Sequence, residues 1–365
     1  MERDPQDPIA AVTHRDPYPY YIRLAVERPI DYDGSLGLWV AASAGAVAAV
    51  LASDLCRVRP PAEPVPAKLQ GTPAGDLFGC LVRQNDGNRH APLKQAVSAA
   101  LGAIDGQESA DLSQAWARTL TAEIRSIQDL QDFLFRLPVY VVASLLGVPR
   151  DLLEPAARWT GEMAAGFAPA ATPEQVERGA QAAAELRRLI GGLTGDGLFA
   201  DLSRQAHRAG CEAMETITSN GAGFLLQTYE ATAGLIGNTL LALARNPALL
   251  QADLDGVIQD VLRLDPPVHN TRRFLARAGT VAGRQMREGD AVLLVLAAAN
   301  RDPATPPLFT FGAGRHACPG QTLATTIARA GVEQALAAGV DPAPLAEGVT
   351  YRPSANVRIP LFRVP

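Results

Sequence analysis

A single cysteine and its neighbours constrain this chain more than any other feature. In Phe311-Gly312-Ala313-Gly314-Arg315-His316-Ala317-Cys318-Pro319-Gly320, Cys318 stands between a glycine-rich turn and the Pro-Gly that opens an alanine-rich helix near Gln321. A thiolate just before a helix start lies at the positive end of the helix dipole and close to backbone N–H groups, which favours its deprotonated form. Such a thiolate is a metal ligand, and heme iron is one metal held by a single cysteine. The glycines let backbone approach a large flat group with no Cβ in the way. Phe311 and the Arg315-His316 pair suit an apolar ring system with acidic edges. A Gly-x-Gly turn before a helix is also a phosphate cradle. Here, however, the P-loop Lys and Ser/Thr are missing, and no Gly-x-Gly-x-x-Gly continues.

The stretch resembles the heme-binding loop of the cytochrome P450 family, Phe-Gly-x-Gly-x-(His/Arg)-x-Cys-x-Gly, and fills each fixed position of that pattern. The resemblance implies a mainly α (α+β) fold, the cytochrome P450 fold, with a long central helix over the heme and small β-sheets. It implies one heme-thiolate domain over residues 1–365, with heme b as cofactor and Cys318 as the metal ligand. Phe311, Gly312, Gly314, His316 and Gly320 are then cofactor-binding residues.

The composition suits a helical globular chain. Of 365 residues, 47% are hydrophobic, 19% charged and 5% aromatic, with alanine abundant, so the chain can bury a sizeable core and favours helices. A net charge of −5 argues against a nucleic-acid partner. Cys56, Cys80, Cys211 and Cys318 show no paired or metal-type spacing, which fits a reducing cytoplasm and one functional cysteine. The polar, proline-containing start of the chain does not read as a secretory signal. Residues 34–53 carry no charge but are largely Ala, Gly and Ser, unlike a membrane span. They read as a buried strand over 36–42 and a helix over 44–52 with Ser43 as N-cap. The expected setting is therefore cytoplasmic, with no membrane partner.

Along the chain, a short amphipathic helix over 20–27 precedes a loop holding Pro60, Pro61, Pro64, Pro66 and Pro73. In the family this region lies over the substrate pocket. Asp86, His90 and Lys94 follow the family pattern Asp-x-x-x-His-x-x-x-Arg, and His90 and Lys94 lie one helical turn apart. The resemblance makes them heme-propionate ligands, with Lys keeping the charge of Arg but losing its bidentate geometry. Without the resemblance they read as a solvated helix start. Residues 109–220 look helical, interrupted near Pro149 and over 166–173. Helical periodicity covers 138–148, with Pro138 as a first helical residue, and 175–193.

Residues 221–243 are apolar nearly all round, which implies a buried helix. A glutamate there, Glu230, is costly unless paired or used. The stretch resembles the family helix that crosses the heme, patterned (Ala/Gly)-Gly-x-(Asp/Glu)-Thr-Thr, with Glu230 at the acid position. Gln227, Thr228 and Ala231 depart from the pattern. Ala231 lacks the hydroxyl that the family uses in proton delivery. Gln227 or Thr228, four and three residues earlier on the same face, can supply the missing polar group. Glu230, Thr228 and Gln227 are therefore the catalytic candidates.

Residues 253–264 read as an amphipathic helix in which Asp260 and Arg263 occupy the family's Glu-x-x-Arg positions. Arg273 aligns with the strand arginine that meets the second propionate, and Arg272 competes for that role. His269 reads either as a substrate-side residue or as an ordinary turn histidine. A hairpin near 280–283, a turn over 287–290 and a buried strand over 290–299 follow. Between Pro303 and Phe311 the family's meander is shortened and its ion-network arginine is missing, which predicts a less braced loop and easier heme loss. Arg301 is a candidate substitute. A helix over 321–339 and a β segment over 357–361 close the chain.

The function implied is a heme-thiolate monooxygenase. It would act on a small organic substrate of secondary-metabolite type, with dioxygen and electrons from separate ferredoxin and ferredoxin reductase-type donors. Two alternatives stay open. One is a peroxide-using or non-oxidative heme-thiolate enzyme, favoured by Ala231 and the Gln227-Thr228 pair. The other is a degenerate, non-catalytic binding protein, favoured by Asp260 and the shortened meander.

Overall fold

The computed structural model describes residues 4–302 and 307–363. In chain order its helices begin with α1 (Tyr18–Glu27), α2 (Ala44–Ala52), α3 (Pro73–Cys80), α4 (Gly87–Gly102) and α5 (Gly106–Thr121). Then come α6 (Ile127–Leu146), α7 (Leu153–Phe167), α8 (Pro173–Gly191), α9 (Leu198–Arg208) and the long α10 (Met214–Arg245). The last are α11 (Leu254–Leu264), α12 (Leu296–Ala299) and α13 (Gln321–Ala337). The strands are β1 (Ile30–Asp33), β2 (Leu38–Ala41), β3 (Cys56–Arg57), β4 (Asn270–Leu275), β5 (Gly279–Val281), β6 (Arg284–Met286), β7 (Ala291–Val295), β8 (Thr350–Tyr351) and β9 (Pro360–Leu361). The fold is mainly α with small sheets.

Helix starts follow from local chemistry. Ser43 accepts from Ala46 N, Ser126 from Asp129 N and Asp253 from Gly256 N, each satisfying a first-turn donor. Thr172 and Gln175 form a reciprocal capping box at the head of α8. The cap at Ser126 starts α6 well before Pro138, so Pro138 lies inside the helix rather than at its first position. Its missing N–H leaves the Leu134 carbonyl without its usual helical donor.

The residues divide into two compact units. Unit 1 comprises Met1–Ala62, Gly237–Cys318 and Pro342–Pro365. Its main sheet runs β1-β2-β7-β4-β3, with β2 and β7 parallel and the other pairs antiparallel. One face of this sheet packs with Val47, Val50, Met286 and Phe309, the other with Tyr21, Leu24 and Ala298. β5 and β6 form the hairpin expected near 280. The strand expected over 290–299 stops at Val295, where the alanine-rich run coils into α12 and Ala297 N donates to the His269 carbonyl.

Unit 2 comprises Glu63–Ile236 and Pro319–Asp341 and is helical. Its packed helix pairs include α7 with α8, α5 with α13 and α4 with α9. Leu134, Leu137, Leu186, Leu225, Ile236 and Val332 are buried within it. α10 contributes residues 214–236 to unit 2 and 237–245 to unit 1. No helix among the described residues is long and apolar enough to cross a membrane.

Candidate functional site

The cysteine loop of unit 1 is built by its own backbone. Gly312 N donates to Phe309 O at 2.7 Å, Ala317 N to Gly314 O at 3.0 Å and Cys318 N to Phe311 O at 2.8 Å. Gly312 and Gly314 take φ of 68° and 62°, a left-handed conformation that a side chain strains. The turn leaves Cys318 exposed and outside any disulfide, three residues before α13 begins at Gln321. Phe311 and His316 are half-buried in the same turn. Gly320, the N-cap of α13, belongs to unit 2.

Arg315 plays a different part from the one its pairing with His316 implied. Its guanidinium bonds Ser53 O at 2.8 Å, Cys56 O at 3.0 Å and the exposed Asp54 carboxylate at 3.0 Å, tying the loop to the turn between α2 and β3. A second brace sits just before the loop. Asn300 receives Phe309 N at 2.7 Å and donates to Thr310 Oγ1 at 2.8 Å, while Thr310 Oγ1 donates to Leu262 O at 2.6 Å. All of these groups are buried. Of the shortened segment between Pro303 and Phe311 expected to weaken the loop, the part up to residue 306 lies outside the described residues. The described residues on either side of 303–306 are joined by this network.

β4 alternates, placing Arg273 inward and Arg272 outward. Arg273 is buried, and its Nη1 donates to Arg272 O at 2.8 Å. Asp260 is exposed and Arg263 half-buried on α11. The deeply buried charge of unit 1 lies elsewhere. Arg358 is fully buried and donates to Asp265 Oδ1 at 3.0 Å, to Val12 O at 2.8 Å, to His14 O at 2.7 Å and to Arg15 O at 3.1 Å. Its guanidinium lies 3.4 Å from the Tyr351 ring centroid. Tyr18 donates to the same Asp265 carboxylate, and burial raises the Tyr18 phenol well above its ordinary range. Arg301 does not substitute for a network arginine near Asp260. It stacks on Tyr18 at 3.9 Å and donates to Leu264 O. His269 is neither exposed nor in an open turn. It is fully buried, with Nδ1 at 2.9 Å from Tyr21 Oη, and burial beside Arg358 and Arg301 holds its imidazole well below the usual histidine range.

In unit 2, His90 is buried and Lys94 half-buried on α4, one turn apart. The middle of α10 departs from the rest of that helix. Most residues on either side are buried, but 226–231 are partly exposed in an unbroken run. A run longer than one turn opens every side of the helix, not one stripe. Gln227 Nε2 turns back to Gly223 O at 2.9 Å. Thr228 Oγ1 lies 3.1 Å from Thr232 Oγ1, and Thr232 is buried. Glu230 lies in the exposed run. Two buried asparagines fix the flanks of this stretch: Asn220 receives Val82 N at 2.9 Å, and Asn238 donates to Asp265 O at 2.9 Å.

Sequence reasoning missed Arg358, Asp265, Asn300, Thr310 and Thr232. Two of these left a signal. Arg358 interrupts the apolar Val357-Arg358-Ile359 run, where a charge needs partners if the segment is buried. Thr232 stands one helical turn after Thr228. Within unit 1 the groups present suit heme: an exposed soft thiol on a loop without Cβ atoms at its tight turns, and a buried arginine on β4.

The chain matches no family-wide sequence profile. It is 30% identical over 226 residues to 6-deoxyerythronolide B hydroxylase of Saccharopolyspora erythraea, covering 54% of this chain and 55% of that one. It is 31% identical over 231 residues to the cytochrome P450 monooxygenase PikC of Streptomyces venezuelae, covering 57% and 55%. The match thus spans about half the length of these curated relatives. Among solved structures, CalO2 superposes with a TM-score of 0.81 at 25% identity, covering 99% of this chain and 98% of that one. P450BioI, solved in complex with an acyl carrier protein, superposes with a TM-score of 0.80 at 22% identity, which bears on the fold alone.

Proposed function

We propose that this chain is a monooxygenase of the cytochrome P450 family, a reading supported by its similarity to enzymes of that family. In this reading residues 1–365 form one heme-thiolate domain of a cytoplasmic enzyme. It oxidises a small organic substrate of secondary-metabolite type, with electrons from a separate ferredoxin and ferredoxin reductase. The relatives named as hydroxylase and monooxygenase support the reaction class. The observation that carries the reading is the exposed Cys318 thiol at the head of α13, on a turn that only glycines hold without strain.

Bound there, heme b would supply dioxygen binding and O–O cleavage, chemistry that a thiolate ligand favours. Cys318 is the proposed iron ligand. Phe311, Gly312, Gly314 and Gly320 shape the surface that receives the ring. His90, Lys94, Arg273 and His316 are the proposed propionate contacts, cationic or hydrogen-bonding groups suited to carboxylates. Glu230 and Thr228 are proposed to deliver protons. The Thr228 and Thr232 hydroxyls each both donate and accept, so the pair holds a proton at an oxygen and hands it on. Gln227 keeps the side chain orientation of this segment through Gly223 O, and its amide has no proton to release at neutral pH.

The peroxide-using or non-oxidative alternative rests on Ala231, which leaves the family's usual hydroxyl position without one. Turnover with a substrate selected by its heme spin shift separates the readings. Monooxygenation predicts product that depends on reductant and carries an oxygen atom from isotopically labelled dioxygen. Product formed with peroxide alone, or with no oxidant, favours the alternative. Heme without turnover under either regime favours the binding-protein reading.

A further inference from the structure

Within unit 2 a cavity of about 300 Å³ opens between α7 and α8, with Tyr229 of α10 in its wall. That is the lower end of the volume range of small-molecule sites. α7 contributes Arg158, Gly161 and Glu162, and α8 contributes Gln175 and Arg178. The lining sets two alanines, a glycine and a tyrosine beside two arginines, one glutamate and one glutamine. Gly161 is what brings Tyr229 to the cavity: a Cβ at 161 would stand 2.7 Å from the Tyr229 hydroxyl. The Tyr229 ring is fixed from behind by Phe135, with centroids 4.9 Å apart.

The charges are unbalanced. Glu162 lies 3.7 Å from Arg158 and offsets one guanidinium. Arg178 has no carboxylate at ion-pair distance among the described residues, with only the fully exposed Glu174 one turn away feeling its charge, and adds the second guanidinium. Gln175 uses its Oε1 in the α8 capping box, which leaves its amide N–H₂ as a donor. Two guanidiniums and an amide donor match a carboxylate, and an aromatic wall matches an apolar body.

We propose that this cleft binds a small amphiphilic carboxylate of the arylalkanoate type. Arg158 and Arg178 hold the carboxylate, and Tyr229 packs against the apolar body. Tyr229 directly precedes Glu230, so the occupant contacts α10 from a cavity lined by α7 and α8. The site is independent of what Cys318 holds.

The test is a calorimetric titration of the full-length heme-loaded protein with 4-phenylbutanoate and with the neutral 4-phenylbutan-1-ol, following the Soret band in parallel. Arg158 and Arg178 are exposed, so Arg158→Gln/Arg178→Gln should keep the wild-type melting temperature. The expected result is one saturable carboxylate site, at least tenfold tighter than for the alcohol. That preference should vanish in the double variant and weaken several-fold in each single one. The proposal is overturned by absence of saturable binding, by equal affinity for acid and alcohol, or by undiminished binding in the double variant. A Soret shift that tracks the heat and survives in the double variant would place the carboxylate elsewhere and also overturn it.

Discussion

The cysteine loop and the middle of α10 carry the two halves of the proposed chemistry, and the chain holds them in opposite ways. The loop is fixed from outside. Arg315 bonds the turn before β3, and Asn300 and Thr310 bind the residues before the loop to the end of α11. In the 226–231 stretch Gln227 and Thr228 bond along their own helix: Gln227 bonds a carbonyl one turn back, and Thr228 pairs with a hydroxyl one turn on. An iron ligand has to keep its position, which needs buried, fully paired support. A proton-handling group has to change partners, which needs access and a bond that can be exchanged. Substitutions around the loop should therefore be read in stability, and those in the helix in turnover.

The largest expected effect comes from the buried charge that underlies unit 1. Arg358→Met removes the guanidinium from Asp265 and from three backbone carbonyls and should cost about 3–5 kcal/mol in denaturant unfolding. A loss under about 1 kcal/mol would show that this cluster does not support the fold as described. Asn300→Ala removes one acceptor and one donor in the buried brace and should cost about 2–3 kcal/mol. It should also speed heme transfer to apomyoglobin. Unchanged transfer would separate the brace from the loop it is held to support.

Acid should weaken the same unit. His269 is held neutral in the folded state, so the unfolded chain takes up a proton that the folded chain does not. Stability is then full above the ordinary histidine pKa of about 6.5 and falls below it by up to about 1.4 kcal/mol per pH unit. His269→Gln should flatten this slope between about pH 6.5 and 5 in pH-dependent melts. An unchanged slope would assign the acid sensitivity to other groups.

In the helix the order reverses. Thr228→Val should change stability by less than about 1 kcal/mol while lowering coupled turnover about a hundredfold. Gln227→Leu should leave coupling near wild type. If Gln227→Leu is the damaging variant, the amide and not the hydroxyl pair serves the reaction. If neither matters, proton delivery does not pass through this stretch.

The fold class, the long helix, the cap at Ser43 and the position of Cys318 were all legible, because each rests on local signals: periodicity, capping chemistry and a motif. The failures were tertiary. Pro138 looked like a helix start because a proline is tolerated there, yet the cap at Ser126 and the packing of α6 outweighed it. His269 read equally as a substrate-side residue or an ordinary turn histidine, because its burial depends on Tyr21, which lies far away in sequence. The bracing of the cysteine loop was sought in an ion network around Asp260. The chain instead uses neutral Asn300 and Thr310, whose pairing leaves no periodic or charged trace. Arg315 and His316 read alike as cations next to the cysteine, and only the fold separates them, by turning Arg315 to the carbonyls of Ser53 and Cys56.

The most direct measurement is the difference spectrum of the reduced protein with and without carbon monoxide, taken for wild type, Cys318→Ser and Cys56→Ser. If Cys318 is the iron ligand on a braced loop, wild type and Cys56→Ser both show the Soret band of thiolate-ligated heme, and Cys318→Ser alone loses it. A thiolate band that persists in Cys318→Ser, or its absence from heme-loaded wild type, would contradict the assignment on which the rest depends.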